Sequence, residues 1–155
     1  MYKKFAVMVF LATGALALQA TAAMAGWRSY GNTNPITSTG GKWRCEATVP
    51  ISNNVGAQVC TIRFPSTVDY PYGRIQGAVI VRNNNNYLYR TSARLTVHHE
   101  DDLVRILGSG FCSSSGVGAN SWSVCFGSHF PSAYGTRYLT EGYANHSHLG
   151  ITWPN

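Results

Sequence analysis

Short runs of alternating apolar and polar residues recur along the chain, separated by segments rich in Gly, Pro, Asn and Ser. A period of two is the spacing of a strand with one buried and one wet face. Good helix formers are scarce beyond residue 25, while Val, Ile, Thr, Tyr and Trp are frequent. The pattern predicts eight short strands, at residues 42–50, 57–64, 73–82, 87–98, 103–108, 121–126, 136–143 and 148–153. Strands without intervening helices predict an all-β fold, an antiparallel β-sandwich or barrel.

Four consecutive asparagines at residues 83–86 mark the clearest turn, because Asn tolerates left-handed backbone angles and hydrogen-bonds its own backbone. The turn predicts a hairpin in which Ile80 lies opposite Tyr89. In the strand that follows, the apolar set is Tyr89, Ala93, Leu95 and Val97, and the polar set is Arg90, Ser92, Arg94 and Thr96. We therefore expect the apolar set to face the core and the polar set to face solvent.

The first 25 residues have the order of a secretory signal peptide. Lys3 and Lys4 form a positive region, an apolar run spans 5–18, and Ala-Met-Ala at 23–25 is a small-x-small cleavage site. An uncleaved membrane anchor is disfavoured because the apolar run is short. We expect cleavage after residue 25, an extracellular location and no membrane span in the mature chain. The predicted parts are a signal peptide at 1–25, a flexible or extended arm at 26–41 and a β domain at 42–155.

Four cysteines remain beyond the signal peptide: Cys45, Cys60, Cys112 and Cys125. Export would place them in an oxidising compartment, where four cysteines most simply form two disulfides. Of the three possible connectivities, local spacing favours first with second and third with fourth, because the midpoints fall in turn-like runs at 52–54 and 116–120. Each bridge would then staple two neighbouring strands. Zinc is the competing use of four cysteines, but the chain has no C-x2-C pair.

Charge and aromatic content narrow the range of partners. Removing Lys3 and Lys4 leaves ten basic and six acidic side chains, a net charge of +4 on 130 residues. Because this charge is modest and forms no basic stripe, we expect no nucleic-acid partner. Nine of the ten basic residues are arginines, and Arg, Tyr and Trp are enriched at binding hot spots. The candidate binding residues are Trp27, Tyr30, Arg90 and Arg94.

Titratable residues are concentrated at 98–102 and in the pair of histidines at 146 and 148. Nitrogen and oxygen ligands for zinc or another divalent metal could come from His98, Glu100, Asp102, His146 and His148. Their spacing matches no known metal motif, and we predict no cofactor. A charged turn between two strands explains residues 98–102 equally well.

A secreted ribonuclease is the enzymatic interpretation of the same residues. Glu100 could act as general base and His146 or His148 as general acid. The cationic groups that stabilise the transition state could be Arg90, Arg94 or Arg105. The N-terminal helix that small microbial ribonucleases usually have is missing, and so are serine-hydrolase, phosphate-loop and dinucleotide motifs. The sequence therefore favours a protein without catalytic activity.

A signal peptide, a Gly/Asn-rich arm and a disulfide-stapled β domain without catalytic motifs resemble the small secreted adaptor subunits of bacterial toxin particles. The resemblance is one of layout and assigns a role to no residue. It implies a protein that joins a toxin-bearing subunit to a lectin-like one. We therefore expect a secreted binding module whose partner is another extracellular protein, with carbohydrate binding and then a small hydrolase as alternatives.

Overall fold

The computed structural model describes residues 26–38 and 40–153, and the predicted signal peptide lies outside the described residues. The strands are β1 (Trp27–Gly31), β2 (Lys42–Cys45), β3 (Val49–Ser52), β4 (Val55–Phe64), β5 (Arg74–Asn83), β6 (Tyr89–His99), β7 (Asp102–Val117), β8 (Ser121–Pro131), β9 (Tyr138–Ala144) and β10 (Ser147–Thr152). One 3₁₀ turn spans Pro35–Thr37. No helix in these ranges is long and apolar enough to cross a membrane.

Two antiparallel sheets pack face to face. Sheet A has the order β1-β8-β5-β4-β2, with β3 also paired to β4, and sheet B has the order β10-β9-β6-β7. Between them lies a core to which Val59 and Val79 of sheet A and Leu95 and Val97 of sheet B contribute. Burying each such side chain contributes about 1.5–3 kcal/mol. The predicted antiparallel sandwich is confirmed, as is the alternation in β6, where Ala93, Leu95 and Val97 are buried.

The asparagine turn joins the two sheets instead of two neighbouring strands. Strand β5 ends at Asn83 in sheet A and β6 begins at Tyr89 in sheet B. Ile80 pairs with Val124 on β8, and Tyr89 pairs with Val117 on β7. The predicted pairing of Ile80 with Tyr89 is therefore wrong. The alternation correctly indicates which side chains face inward, but it does not distinguish a neighbouring strand from a strand in the opposite sheet.

Both predicted disulfides are present. Cys45 and Cys60 lie directly opposite each other on β2 and β4, with their Cα atoms 4.0 Å apart. Cys112 on β7 and Cys125 on β8 have a Cα separation of 5.8 Å and belong to different sheets. The expectation of a staple between neighbouring strands is correct for the first bridge and wrong for the second, which crosses the sandwich.

The segment before β2 runs over the outer face of sheet A. Strand β1 pairs with β8 at one edge and β2 pairs with β4 at the other, so the connection between them must pass across the sheet. Its 3₁₀ turn is capped by Asn34, whose Oδ1 accepts a hydrogen bond from the N–H of Ile36. A second apolar cluster contains Cys60, Ile62, Ala78, Ile80 and Val124, with Tyr30, Ile36, Trp43, Phe64, Trp122 and Phe126 packed against it. Sheet A therefore buries apolar side chains on both of its faces.

Candidate functional site

The residues considered for catalysis lie at opposite ends of strand β9. Glu100 follows β6, and its Oε1 is 3.5 Å from Nη1 of Arg137, which precedes β9. His146 lies in the turn after β9, and His148 lies on β10. Glu100 N–H donates to the carbonyl of Arg137, and His148 pairs with Tyr143, six positions further along β9, with its Nε2 3.2 Å from Oε1 of Glu141. Six positions correspond to roughly 20 Å at the rise of a strand. The structure does not bring Glu100 together with either histidine.

The residues considered for a metal are divided in the same way. Nε2 of His98 is 2.8 Å from Oγ1 of Thr96, and Oδ1 of Asp102 accepts hydrogen bonds from two N–H groups of its own turn. Glu100 lies near them, whereas His146 and His148 are at the far end of the sheet. In the part of the chain that the structure describes, no group of three His, Cys, Asp or Glu side chains could hold a metal ion.

Arg94 belongs to a row of side chains across sheet B. It pairs with Phe111 on β7 and with Tyr143 on β9, and Tyr143 pairs with His148 on β10. The guanidinium lies 4.2 Å from the ring centroid of Tyr143, and the His148 ring lies 4.9 Å from the same ring. The Tyr143 hydroxyl donates to Oε1 of Glu141, and this hydrogen bond raises the pKa of Tyr143. Neighbours therefore occupy much of the surface of Tyr143.

The other three predicted binding residues have different surroundings. The Nε1–H of Trp27 donates to the carbonyl of Ser113, and the ring packs against the core between the sheets. Trp27 thus ties β1 to β7. Arg90 is exposed on β6. Tyr30 lines a cleft on the outer face of sheet A.

This cleft, which we call the sheet A cleft, has a volume of about 410 Å³. Its walls include the rings of Tyr30, Phe64 and Phe126 and the polar side chains of Arg28, Gln76 and His129. Strands β1, β4, β5 and β8 each supply at least one of these residues. The cleft is therefore built by four strands of sheet A and by Ser38 of the connection that crosses it.

Two arginines lie over aromatic rings in or beside the sheet A cleft. The guanidinium of Arg28 lies 5.4 Å from the ring centroid of Tyr30, and that of Arg74 lies 5.5 Å from the centroid of Phe64. The Phe64 ring is 5.4 Å from the ring of His129. Burial, and next the positive charge of Arg74, lower the pKa of His129. The Tyr30 hydroxyl is buried and has no hydrogen-bond partner among the described residues.

Charge is distributed unevenly between the sheets. The described strands of sheet A carry no acidic residue and six basic ones: Arg28, Lys42, Arg44, Arg63, Arg74 and Arg82. Those of sheet B carry three basic residues, Arg90, Arg94 and Arg105, and two acidic ones, Asp102 and Glu141. The cleft thus lies on the more cationic of the two sheets.

A third surface feature is apolar. Leu103, Val104 and Ile106 lie on β7, the terminal strand of sheet B. Val104 is 91% exposed, and the other two side chains are more than half exposed. We call these three residues the β7 patch.

We expect His129 to titrate below its ordinary pKa of 6.5, because burial and Arg74 both disfavour the protonated ring. As pH falls, the unfolded chain therefore protonates the His129 ring at a higher pH than the folded protein does. The contribution of His129 to stability is present above pH 6.5 and is lost as pH falls from 6.5 through the lower folded-state pKa. Proton NMR titration of the ring, assigned with a His129→Gln variant, measures the midpoint. The variant Arg74→Gln should raise it, and a wild-type midpoint at or above 6.5 would contradict the prediction.

Of these cleft residues, Tyr30 is predicted from the sequence, whereas Arg28, Gln76 and His129 are not. Arg28 and Tyr30 are two residues apart, so an extended arm would place both on one face, and this signal was available. Gln76 and His129 come together only through the pairing of β5 with β8.

Comparison with protein-family profiles, with curated proteins and with solved structures finds no match for this chain.

Proposed function

We propose that this protein is a secreted, non-catalytic binding module that attaches to another extracellular protein through the β7 patch. The observation that carries the proposal is the exposure of Leu103, Val104 and Ile106 within four consecutive positions. Adjacent exposed apolar side chains are typical of protein interaction sites. Their strand is also an edge strand, and such strands accept contacts from other chains.

The charges beside the β7 patch indicate what kind of partner would fit. Asp101 lies in the turn before β7, and its side chain is 86% exposed. Arg105 lies within the patch and is exposed as well. A partner with an apolar surface, a basic group opposite Asp101 and an acidic group opposite Arg105 would complement these features, because interfaces combine an apolar centre with complementary charges. Two disulfides support an extracellular setting, since such bonds persist in oxidising compartments. Together these features support an extracellular binding module.

The test compares Val104→Asp with Val68→Asp. Both side chains are highly exposed, and Val68, in the connection between β4 and β5, is completely exposed. Surface substitutions of this kind usually change the free energy of unfolding by less than about 0.5 kcal/mol. We expect wild-type protein to retain a stoichiometric partner from native culture fluid. Val104→Asp should weaken that complex by about tenfold or more, as loss of a central contact does. Val68→Asp should bind as the wild type does.

Affinity for the recovered partner is then measured with each purified variant. Equal affinity of Val104→Asp and wild type would overturn the proposed surface. Recovery of no stoichiometric protein partner by the wild type would overturn the adaptor role itself.

A further inference from the structure

We propose that the sheet A cleft is a second binding site, which takes a saccharide bearing a carboxylate. The proposal goes beyond protein attachment through the β7 patch, since the two surfaces lie on different sheets. It rests on three features of the cleft: a cation with no acidic partner, aromatic walls, and a buried hydroxyl without a hydrogen bond.

The cation is Arg28. Among the described residues no carboxylate pairs with it, and its recorded contact is the ring of Tyr30. Arg74 lies beside the cleft and adds a second positive charge. No Asp or Glu is among the residues that line the cleft. A planar guanidinium donates two parallel hydrogen bonds to a carboxylate, so this site favours an anionic ligand.

The aromatic walls favour a ligand with an apolar face. Tyr30, Phe64 and Phe126 present rings to the cleft. Phe64 and Phe126 also pack against the second apolar cluster, which restricts their movement. The apolar face of a sugar ring can lie against such a ring while its hydroxyl groups point to neighbouring polar side chains.

Neutral polar groups distinguish a sugar acid from an apolar acid. The Tyr30 hydroxyl is buried without a partner, and Ser38 also lines the cleft. Nε2 of Gln76 donates to the carbonyl of Gly127 at 2.9 Å, which fixes the amide in position. A ligand without hydroxyl groups would leave the Tyr30 hydroxyl unpaired, as it is in the free protein, and would gain no hydrogen bond there. A ligand hydroxyl would supply the missing hydrogen bond.

The size and shape of the cleft fit this ligand class. Its volume of about 410 Å³ falls within the usual range for small-molecule sites, about 300–1,000 Å³. The cleft opens to solvent, so that the terminal unit of a longer glycan can enter while the remaining units extend away. The structure therefore assigns to the cleft the acidic end of an oligosaccharide.

The test uses sialyllactose, glucuronate disaccharide, lactose and adenosine monophosphate as probes with the full mature chain. Binding is followed by calorimetry and by NMR shifts of His129 and of the backbone around the cleft. We expect one or both acidic saccharides to bind with a Kd of about 1 mM or below, and lactose to bind at least tenfold more weakly. A bound carboxylate should also move the His129 signal toward that of the protonated ring.

Two variants place the binding in the cleft. Arg28→Gln should lower the affinity for the acidic saccharide by tenfold or more. Arg44→Gln, which removes the same charge from an exposed position on β2 outside the cleft, should change it less than twofold. Tyr30→Phe should weaken binding without altering the fold, because the hydroxyl makes no hydrogen bond within the described protein.

Four results would overturn the proposal. The first is that neither acidic saccharide shifts the cleft signals at about 10 mM, and the second is that lactose binds as tightly as the acidic saccharides. The third is an equal loss of affinity in Arg28→Gln and Arg44→Gln. The fourth is tighter binding of adenosine monophosphate than of both acidic saccharides, which would show a phosphate site instead. None of these outcomes bears on the Val104 experiment, so the two proposals fail separately.

Discussion

Replacing both Cys112 and Cys125 by alanine lowers the free energy of unfolding by about 2–5 kcal/mol, the range for loss of a native disulfide in a small secreted domain. The pair lies in the core between the sheets, and both residues are fully buried. It joins β7 in sheet B to β8 in sheet A, which have no ladder of backbone hydrogen bonds between them. Loss of the bridge therefore removes a covalent link that sheet pairing does not duplicate.

The bridge between Cys45 and Cys60 supplies the matched comparison. Its loop is nearly the same length, with a sequence separation of 15 residues against 13, so the chain-entropy contributions are both about 3 kcal/mol. In the folded state, however, Cys45 and Cys60 lie on strands that already pair through β2 and β4. We expect the Cys112/Cys125 double variant to be the less stable of the two.

Urea unfolding followed by circular dichroism measures both double variants, with the midpoint and slope compared to the wild type. Hydrogen exchange should show earlier opening of β7 when Cys112 and Cys125 are replaced, and of β2 when Cys45 and Cys60 are replaced. A larger loss of stability in the Cys45/Cys60 variant would contradict the argument. Since the β7 patch lies on the affected strand, binding to a protein partner should weaken in the Cys112/Cys125 variant as well.

How far the sequence predicts this fold is clear from strands β5 and β6. Alternation in β6 correctly identifies Ala93, Leu95 and Val97 as core residues. In β5 the residues from Ile75 to Val81 are all buried, and alternation disappears. The physical reason is that aromatic side chains of the neighbouring strands, together with Ile36 of the connection before β2, pack over the outer face of β5, so its apolar side chains are buried on both faces. A continuous apolar run indicates such a strand, but nothing local identifies what covers it.

The sequence predicts the residues of the sheet A cleft only in part, for the same reason. Arg28 and Tyr30 could be grouped from their spacing alone, because side chains two positions apart on an extended segment point to the same face. His129 joins them through strand order, and strand order depends on which turns change sheets. The sequence predicts a turn at 83–86, whereas its role as a crossover is visible only in the strand order, which places β5 and β6 in different sheets.

Asn83→Asp should destabilise the protein by about 3–5 kcal/mol at neutral pH, the cost of an uncompensated buried charge. The Asn83 side chain is fully buried, and its Nδ2 donates to the carbonyl oxygens of Tyr87, Val117 and Gly118 at 2.8, 3.0 and 3.0 Å. Its Oδ1 accepts from the N–H of Asn85 at 3.0 Å. One amide therefore ties the β5–β6 crossover to the β7–β8 crossover. Aspartate keeps the shape and the acceptor but removes the donors and directs negative charge at carbonyl oxygens.

The pH dependence of this loss separates charge from packing. Burial raises the pKa of the introduced carboxyl above the unfolded value of about 3.9. The variant is then closest to wild type below that value, where the carboxyl is neutral and can donate one hydrogen bond. The loss of stability relative to wild type grows as pH rises toward the folded-state pKa of the carboxyl, because the unfolded chain releases the carboxyl proton at a lower pH than the folded protein does. Thermal unfolding of wild type and variant between pH 3 and pH 7 measures the difference.

Asn84→Asp is the control, since it makes the same change one position away. Asn84 is exposed, and its Oδ1 accepts from Nε of Arg82 at 2.7 Å, a contact that a carboxylate preserves. We expect its stability to stay within about 0.5 kcal/mol of wild type at every pH. Equal losses in the two variants would mean that the asparagine run acts only through its turn conformation. A loss confined to Asn83→Asp would instead show that the Asn83 side chain joins the β5–β6 and β7–β8 crossovers. The relative position of the β7 patch and the sheet A cleft depends on these two crossovers.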